Sequence, residues 1–340
     1  MAENLKKNEN DVAVMTRVRL ARNINALPYP KKMSVPTARQ VIEEVWDALK
    51  KSPQGSELTL FKTEEMNDIL KRSLVERHLI SAELASSNIP AAAAISADES
   101  VSVMINEEDH IRIQVFTRGL DAESAYIKAK EIEEYIGQEL TFDYDNEFGF
   151  LTSCPTNIGT GLRASVMLHL PAITVSQRVS PLLKWAANLG MTVRGLYGEG
   201  SRASGALFQL SNQITLGVSE TEIVSRFTAA ACSLISEERR ISAEVFDSDR
   251  FRITDKCLRS LGILKNAYMI NSSEATDLIS NVCMGVNLGI IKNIDTSALR
   301  DAMFSTLPAN INLSEPDMSP QMRDVKRAQL LQEALAAKNE

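Results

Sequence analysis

Apolar positions recur along the 340 residues with two periods, and the dominant period changes once. Val35 to Lys51 puts Val41, Val45, Trp46 and Leu49 on one side of a helix that Pro53-Gln54-Gly55 stops. Thr63 to His78 has the same spacing with Thr63 as its cap, and Ala122 to Ile136 and Ser176 to Leu189 are further helices. Elsewhere the period falls to two. Ala91 to Ser96 and Val101 to Asn106 flank the polar turn Asp98-Glu99-Ser100 as a hairpin, and Ile111, Ile113 and Val115 alternate with Arg112 and Gln114. Ala164 to Leu170 alternates as well, with Arg163, Ser165, Met167 and His169 on one face; Val193-Arg194 and Ala206 to Leu216 read as extended. The pattern predicts an α+β fold, an antiparallel sheet with helices on one side.

After Thr221 the strand signal stops. Residues 221–240, 253–270 and 273–290 have helical period, and Ser319 to Lys338 is a last helix with Ser319 as cap and Pro320 in its first turn. The charged stretch Glu237 to Arg252 is the expected boundary between a catalytic domain, residues 1–245, and a helical C-terminal domain, residues 246–340. Residues 1–12 read as a disordered tip.

A net charge of −7 argues against a nucleic-acid binder, whose domains are basic. Cys154, Cys232, Cys257 and Cys283 lie far apart, with three histidines in the chain, so neither a disulfide framework nor a zinc site is expected. Cys232, Cys257 and Cys283 read as small buried hydrophobes. The first residues carry no apolar leader and no apolar run has bilayer-spanning length, which predicts a soluble cytoplasmic protein with no membrane partner.

The candidate chemistry centres on Cys154-Pro155-Thr156-Asn157-Ile158-Gly159-Thr160-Gly161-Leu162-Arg163. This run joins a thiol, a rigid turn, an amide and two flexible glycines to an arginine. It suggests chemistry between a phosphate and a group that a thiolate can hold. No phosphate-binding loop of the G-x-x-x-x-G-K-[ST] type and no G-x-G-x-x-G fingerprint between strand and helix occurs. Arg17 and Arg19, two apart, share a strand face, and Arg112, Arg163 and Arg194 each sit in or beside a predicted strand. If these strands are neighbours, five guanidinium groups converge. Such a cluster repels itself unless it holds a polyanion, and triphosphate matches the guanidinium fork.

Cys154 to Arg163 resembles the signature of the phosphagen (guanidino) kinases. Three further segments agree in the same order: Thr16-Arg17-Val18-Arg19-Leu20-Ala21-Arg22-Asn23, Asn106-Glu107-Glu108-Asp109-His110-Ile111-Arg112, and Arg194-Gly195-Leu196-Tyr197-Gly198-Glu199. The resemblance implies the phosphagen-kinase catalytic fold (glutamine-synthetase-like), with Mg²⁺-ATP as donor and no protein cage for the metal. It implies Glu108 as the base, Glu199 as its partner on a loop made mobile by Gly198, Gly200 and Gly205, and Cys154 as a thiolate holding the substrate guanidinium. Glu107 and Asp109 would orient backbone or arginines. ATP contacts are implied for Thr16, Arg17, Val18, Arg19, His78, Arg112, Arg163, Ala164, Ser165, Val166 and Met167, and for Arg194, Gly195, Leu196, Tyr197 and Gly198. Arg202 departs from the pattern, which often has an acid at that place.

Within the family the chain is most similar to bacterial members that phosphorylate arginine side chains in proteins. The catalytic segments start so near the N-terminus that they leave no room for the helical domain that precedes them in creatine-kinase-like enzymes. The tail Arg323-Asp324-Val325-Lys326-Arg327-Ala328 resembles a phosphoarginine-binding motif, with Arg323, Asp324 and Arg327 as its readers. Protein substrates with exposed arginine, a stress role, a Clp unfoldase and protease, an activator protein, a heat-shock repressor and a homodimer joined through the C-terminal part are inherited from the same likeness. The rival readings are a free-arginine phosphagen kinase and an inactive phosphoarginine-binding adaptor.

Overall fold

The computed structural model describes residues 11–53, 55–195 and 203–336. Its strands are β1 (Ala13–Arg22), β2 (Leu58–Lys62), β3 (Ala92–Ser96), β4 (Val101–Ile105), β5 (Ile111–Arg118), β6 (Tyr144–Asp145), β7 (Gly149–Phe150), β8 (Leu162–His169), β9 (Met191–Gly195) and β10 (Leu207–Asn212). Its helices are α1 (Val35–Lys51), α2 (Asp68–Glu76), α3 (Ala82–Ala85), α4 (Ala122–Glu139), α5 (Pro171–Val175), α6 (Val179–Asn188), α7 (Glu220–Ser248), α8 (Arg250–Asn266), α9 (Ser272–Asn287), α10 (Thr296–Ser305), α11 (Pro308–Ser314) and α12 (Pro320–Ala336). Eight strands make one antiparallel sheet in the order β2-β3-β4-β5-β1-β8-β10-β9, and β6 with β7 forms a small hairpin.

Alternation sorts the side chains. Val18 and Leu20 of β1, Ile113 and Val115 of β5, Ala164 and Val166 of β8, and Phe208 and Leu210 of β10 face one way, into a core closed by α1, α4, α6 and α7. The other face is covered only at its margins. There α2 and α3 bring Leu74 and Leu84 onto Ala93, Met104 and Phe116, and the C-terminal helices bring Ile253, Cys257, Ile279 and Leu331 into a cluster with Met167 and Leu207. Helices therefore flank both faces, and the middle of the second face stays open.

Several expectations shift. Leu58–Lys62 is an edge strand, and the helix after it starts at Asp68 with Asn67 as its cap. Thr63 caps nothing: its hydroxyl donates to the Ala91 carbonyl at 2.9 Å and ties the edge strand's end to β3. Asp11 and Val12 belong to the fold, Val12 in the core and Asp11 paired with Arg239 at 2.6 Å, whereas residues 1–10 lie outside the described residues. The stretch Glu237 to Arg252, the expected boundary, is helical: α7 runs to Ser248 and only Asp249 separates it from α8. Ser176 to Leu189 shortens to α6, β10 ends at Asn212 and α10 and α11 are additional. Cys257 and Cys283 are buried, but Cys232 is exposed. Among the described residues no helix is long and apolar enough to cross a membrane.

Candidate active site

Four strands deliver arginines to the open face. Arg19 stands directly opposite Arg163 on β8 and opposite Gln114 on β5, Arg112 pairs with Ala21, and Arg194 pairs with Gln209. Like charges facing across strands are destabilising. Burial makes this worse: it pulls the Arg17 guanidinium down to about 10, with Arg112 adding to the effect. It pulls Arg19 well below the usual range, with Arg17, Arg112 and Arg163 adding theirs. The Nε atoms of Arg17 and Arg19 are buried without a hydrogen-bond partner. A folded chain keeps such charges only if something else completes them.

The space above is a cleft of about 600 Å³, lined by Arg19, Arg112, Arg163 and Arg194 together with Glu107, Glu108 and Cys154. The turn between β4 and β5 carries the acids. Asn106 takes a left-handed conformation (φ 60°) and its amide donates to the Ala38 and Pro90 carbonyls at 2.8 and 3.0 Å. Glu107 is used up locally: it accepts from Ser81 Oγ at 2.7 Å, from Arg112 Nη1 at 2.9 Å and from the Glu108 backbone at 2.7 Å. Glu108 is half-exposed in the cleft and accepts one bond, from Arg112 Nη2 at 3.0 Å. Asp109 is buried and accepts from Asn23 at 2.8 Å and from the Ser153 backbone at 2.7 Å. It thereby couples the acidic turn to the segment that leads into Cys154.

Cys154 begins the 3-10 turn Pro155–Asn157, its Sγ 3.1 Å from Thr156 Oγ1, and its carbonyl accepts from Thr152 Oγ1 at 2.8 Å. Asn157 aims Arg163, its Oδ1 accepting from Nε at 3.2 Å and from Nη2 at 3.0 Å. Burial lowers the Arg163 guanidinium; Cys154 opposes this, Arg194 and Arg112 add to it, and Glu108 opposes it again, so cations, sulfur and base share one field. The two motif glycines are not flexible. Gly159 and Gly161 have positive φ, and a β-carbon on Gly161 would stand 2.6 Å from the Ala21 carbonyl oxygen and 2.7 Å from Arg22 Nη1. They supply close approach and a left-handed backbone.

Comparison with known proteins agrees with this geometry. The family model of the ATP:guanido phosphotransferase C-terminal catalytic domain matches residues 40–241, and that of the protein-arginine kinase McsB C-terminal domain matches residues 250–340. A protein-arginine kinase of Clostridium acetobutylicum is 40% identical over 329 residues, covering 96% of this chain and 97% of its own. One from Shouchella clausii is 41% identical over 334 residues, covering 97% and 93%. The chain belongs to the protein-arginine kinases. Among solved structures, a Schistosoma mansoni taurocyamine kinase with transition-state-analogue components matches with TM-score 0.60 at 25% identity, over 67% of this chain and 33% of that one. Lombricine kinase matches with TM-score 0.61 at 23% identity, over 69% and 68%, and shares the fold.

The kinase brings together only part of the expected residue set. Thr16, Val18, Ala164 and Val166 have the opposite parity and are fully buried away from the cleft, Thr16 donating to the Gly119 carbonyl at 2.6 Å. Ser165 and Met167 face the right way but are buried, Met167 beneath the C-terminal helices. His78 lines a separate cavity of about 540 Å³, its ring 6.0 Å from that of Phe304. Burial and then Arg17 hold its imidazole down at about 4, so it is neutral. Gly195 ends β9 beside Arg194. Leu196, Tyr197, Gly198, Glu199, Gly200 and Arg202 lie outside the described residues.

In the tail, Arg323 borders a cavity of about 200 Å³ with Arg72, Glu76 and Asn312. Arg327 does not join it. It is buried, donating to the Thr306 and Ile270 carbonyls at 2.9 and 2.8 Å and to Asp324 at 2.5 Å. Position along a helix put Arg323 and Arg327 on one side, but its C-terminal neighbours drew one of them inward. Lys31, Ser81, Glu83, Thr192, Gln209 and Ser211 also line the cleft and escaped the sequence reading. Gln209 and Ser211 were accessible in principle, being two apart in a predicted strand; Lys31 and Glu83 carried no signal.

Proposed function

We propose that this kinase transfers the γ-phosphoryl group of ATP to arginine side chains of proteins in the cleft between Arg19, Glu108 and Cys154. The observation that carries the reading is the row of mutually repelling guanidinium groups, half-buried at Arg17, Arg19, Arg112 and Arg163, in which the Nε atoms of Arg17 and Arg19 are buried without a partner. A triphosphate answers that deficit, and the forks of Arg19, Arg112, Arg163 and Arg194 suit its oxygens. Mg²⁺, when bound, would neutralise charge on those phosphates; Glu107 is committed to Arg112 and Ser81, so the phosphates and water would hold the ion.

As the substrate nitrogen bonds to the γ-phosphorus and the bond from phosphorus to the ADP oxygen breaks, Glu108 takes the proton that the guanidinium sheds, and the Cys154 sulfur faces that guanidinium from the side. In the structure Glu108 is held by Arg112 at 3.0 Å. Phosphate competing for Arg112 loosens that hold, so filling the donor site readies the base. Glu199 is the second acid by family likeness. The test is incubation with ATP and either casein or free arginine. Acid-labile phosphate forms on the protein and is lost in Glu108→Ala. Label on free arginine alone would refute the protein reading, and label surviving in Glu108→Ala would refute the base.

The remaining assignments extend this reading. Arg323 with Arg72 offers two cations for a phosphoarginine; Asp324, which accepts from Arg327 at 2.5 Å, is the carboxylate for its guanidinium by family likeness alone. A phosphoarginine peptide then binds the wild type and not the Arg323→Ala/Asp324→Ala protein, with ATP affinity equal in both. Exposed Phe251, Leu258 and Tyr268, on and just after α8, support a homodimer through the C-terminal part. Cytoplasmic location, a stress role, and an activator, a repressor and a Clp protease as partners accompany the family likeness.

A further inference from the structure

Among the described residues Arg22, the last residue of β1, is with Arg327 the largest fully buried side chain, and the chemistry in the cleft does not use it. Its parity turns it to the helix-covered face, where no ligand reaches it. Each nitrogen of its guanidinium donates a hydrogen bond. Nε donates to Glu133 of α4 at 2.6 Å, Nη2 to Glu220 of α7 at 3.1 Å, and Nη1 to the carbonyls of Ala21 at 2.7 Å and Thr160 at 2.9 Å. The Phe150 ring lies 3.5 Å beneath it. Lys130 sits 2.6 Å from Glu133 and 3.6 Å from Glu220, and Tyr126 donates to Glu220 at 2.7 Å, so the cluster balances two cations against two carboxylates. Burial pushes the Glu133 carboxyl up, but Arg22 and Lys130 together outweigh it and hold the group ionised.

Two of these contacts grip the loop that carries Cys154 and Arg163. Thr160 is held directly through its carbonyl. Gly159 is held through Phe150, with paired backbone bonds of 2.8 and 3.2 Å between them, and Gly161 fits only because it lacks a β-carbon beside Arg22. Gly161 in turn donates to the Asn157 carbonyl at 3.0 Å, one turn from Cys154. We propose that Arg22 is a positioning residue for phosphoryl transfer: from behind the sheet it fixes the height of the loop 154–163, and so the placement of the Cys154 sulfur and the Arg163 fork relative to Arg19. A buried ion cluster suits this task because its geometry is set by two helices and a strand, and a small displacement at a reacting centre is costly.

The test combines turnover with site-resolved alkylation of the full-length kinase by iodoacetamide, read by mass spectrometry. Arg22→Lys keeps the charge and loses the fork. Its kcat falls about 10–100-fold, with KM for ATP changed less than about threefold. Cys154 labelling shifts by roughly threefold or more, while exposed Cys232 labels as before and buried Cys257 and Cys283 stay protected. Unchanged kcat and Cys154 labelling would overturn the proposal. So would loss of kcat in step with labelling of Cys257 and Cys283, which marks general loosening. If Arg22→Lys does not fold, Phe150→Leu and Glu220→Ala serve instead. Each removes one contact, and each shifts Cys154 labelling alone; no shift in either refutes the role. The labelling does not depend on turnover, so its outcome is separate from that of the kinase reading.

Discussion

Arg19 and Arg22 stand three residues apart on one strand, the first half-buried in the cleft and the second fully buried, and their surroundings are opposite. Arg19 faces Arg163 across the ladder, is depressed by three neighbouring arginines and has a buried nitrogen with no partner. Arg22 has two carboxylates, two carbonyls and an aromatic ring. The cause is strand parity: beyond the register shift near Ala13, Arg19 and Ala21 of β1 look into the open cleft, and Val18, Leu20 and Arg22 into the core under α4 and α7. A buried cation that its own protein fully satisfies is architecture, and one left unsatisfied is a site awaiting an anion. Arg327 belongs with Arg22 by this criterion, although its motif context grouped it with ligand-binding residues.

The contrast can be broken by experiment. The largest effect is expected at the base: Glu108→Gln keeps the shape of the cleft and lowers kcat about 10²–10⁴-fold, measured as phosphate incorporated into casein. Next, Arg19→Met or Arg163→Met lowers kcat/KM about 10²–10³-fold. Because Arg19→Met also relieves repulsion with Arg163, its melting temperature holds or rises in differential scanning fluorimetry, whereas Arg163→Met also gives up the bonds to Asn157 and lowers it. A clear drop in melting temperature would place Arg19 with the structural arginines. Arg327→Met should do the reverse, costing about 3 kcal/mol in denaturant unfolding, since two carbonyls and Asp324 lose their donor. Its turnover at low temperature stays within about twofold of wild type.

The smallest effect concerns pH. Glu238 accepts from the Ala172 and Ile173 backbones at 2.8 and 3.0 Å, yet burial pushes its carboxyl up to about 8. The native state therefore keeps a proton that the unfolded chain releases near 4.5. Its stabilising contribution is full below that value, declines as pH rises and is gone above about 8. Melting temperature falls between pH 5 and 8 in wild type and falls less in Glu238→Gln; parallel curves would exclude Glu238 as the source.

Much of the site was legible because strand alternation is a local property. Period two assigned Arg17, Arg19 and Arg163 to one face before any neighbour was known, and the motif run marked Cys154 and the acids. Thr16, Val18, Ala164 and Val166 were misplaced because the motif was read as a block and its alternation ignored there. Thr63 to His78 was read as one helix because Met66 stands three and four residues before Ile69 and Leu70, so the turn that leads into α2 imitates its spacing. The interhelical turn Pro308 and the cap Asp295 were visible, but α10 and α11 are too short to have a strong period of their own.

By itself, the sequence determined the central strands and the longer helices, the membership of the phosphagen-kinase family and the side of the sheet on which Arg17, Arg19 and Arg163 fall, since these depend on periods of two and 3.6 residues and on contiguous motifs. Only the tertiary structure decided which arginines are left without partners. That depends on Glu133, Glu220, Thr160, Ile270 and Thr306, residues remote in the chain, and on strand pairing that sets Arg19 against Arg163. An arginine carries the same charge wherever it stands; what it does follows from what the rest of the fold brings within three ångströms of it.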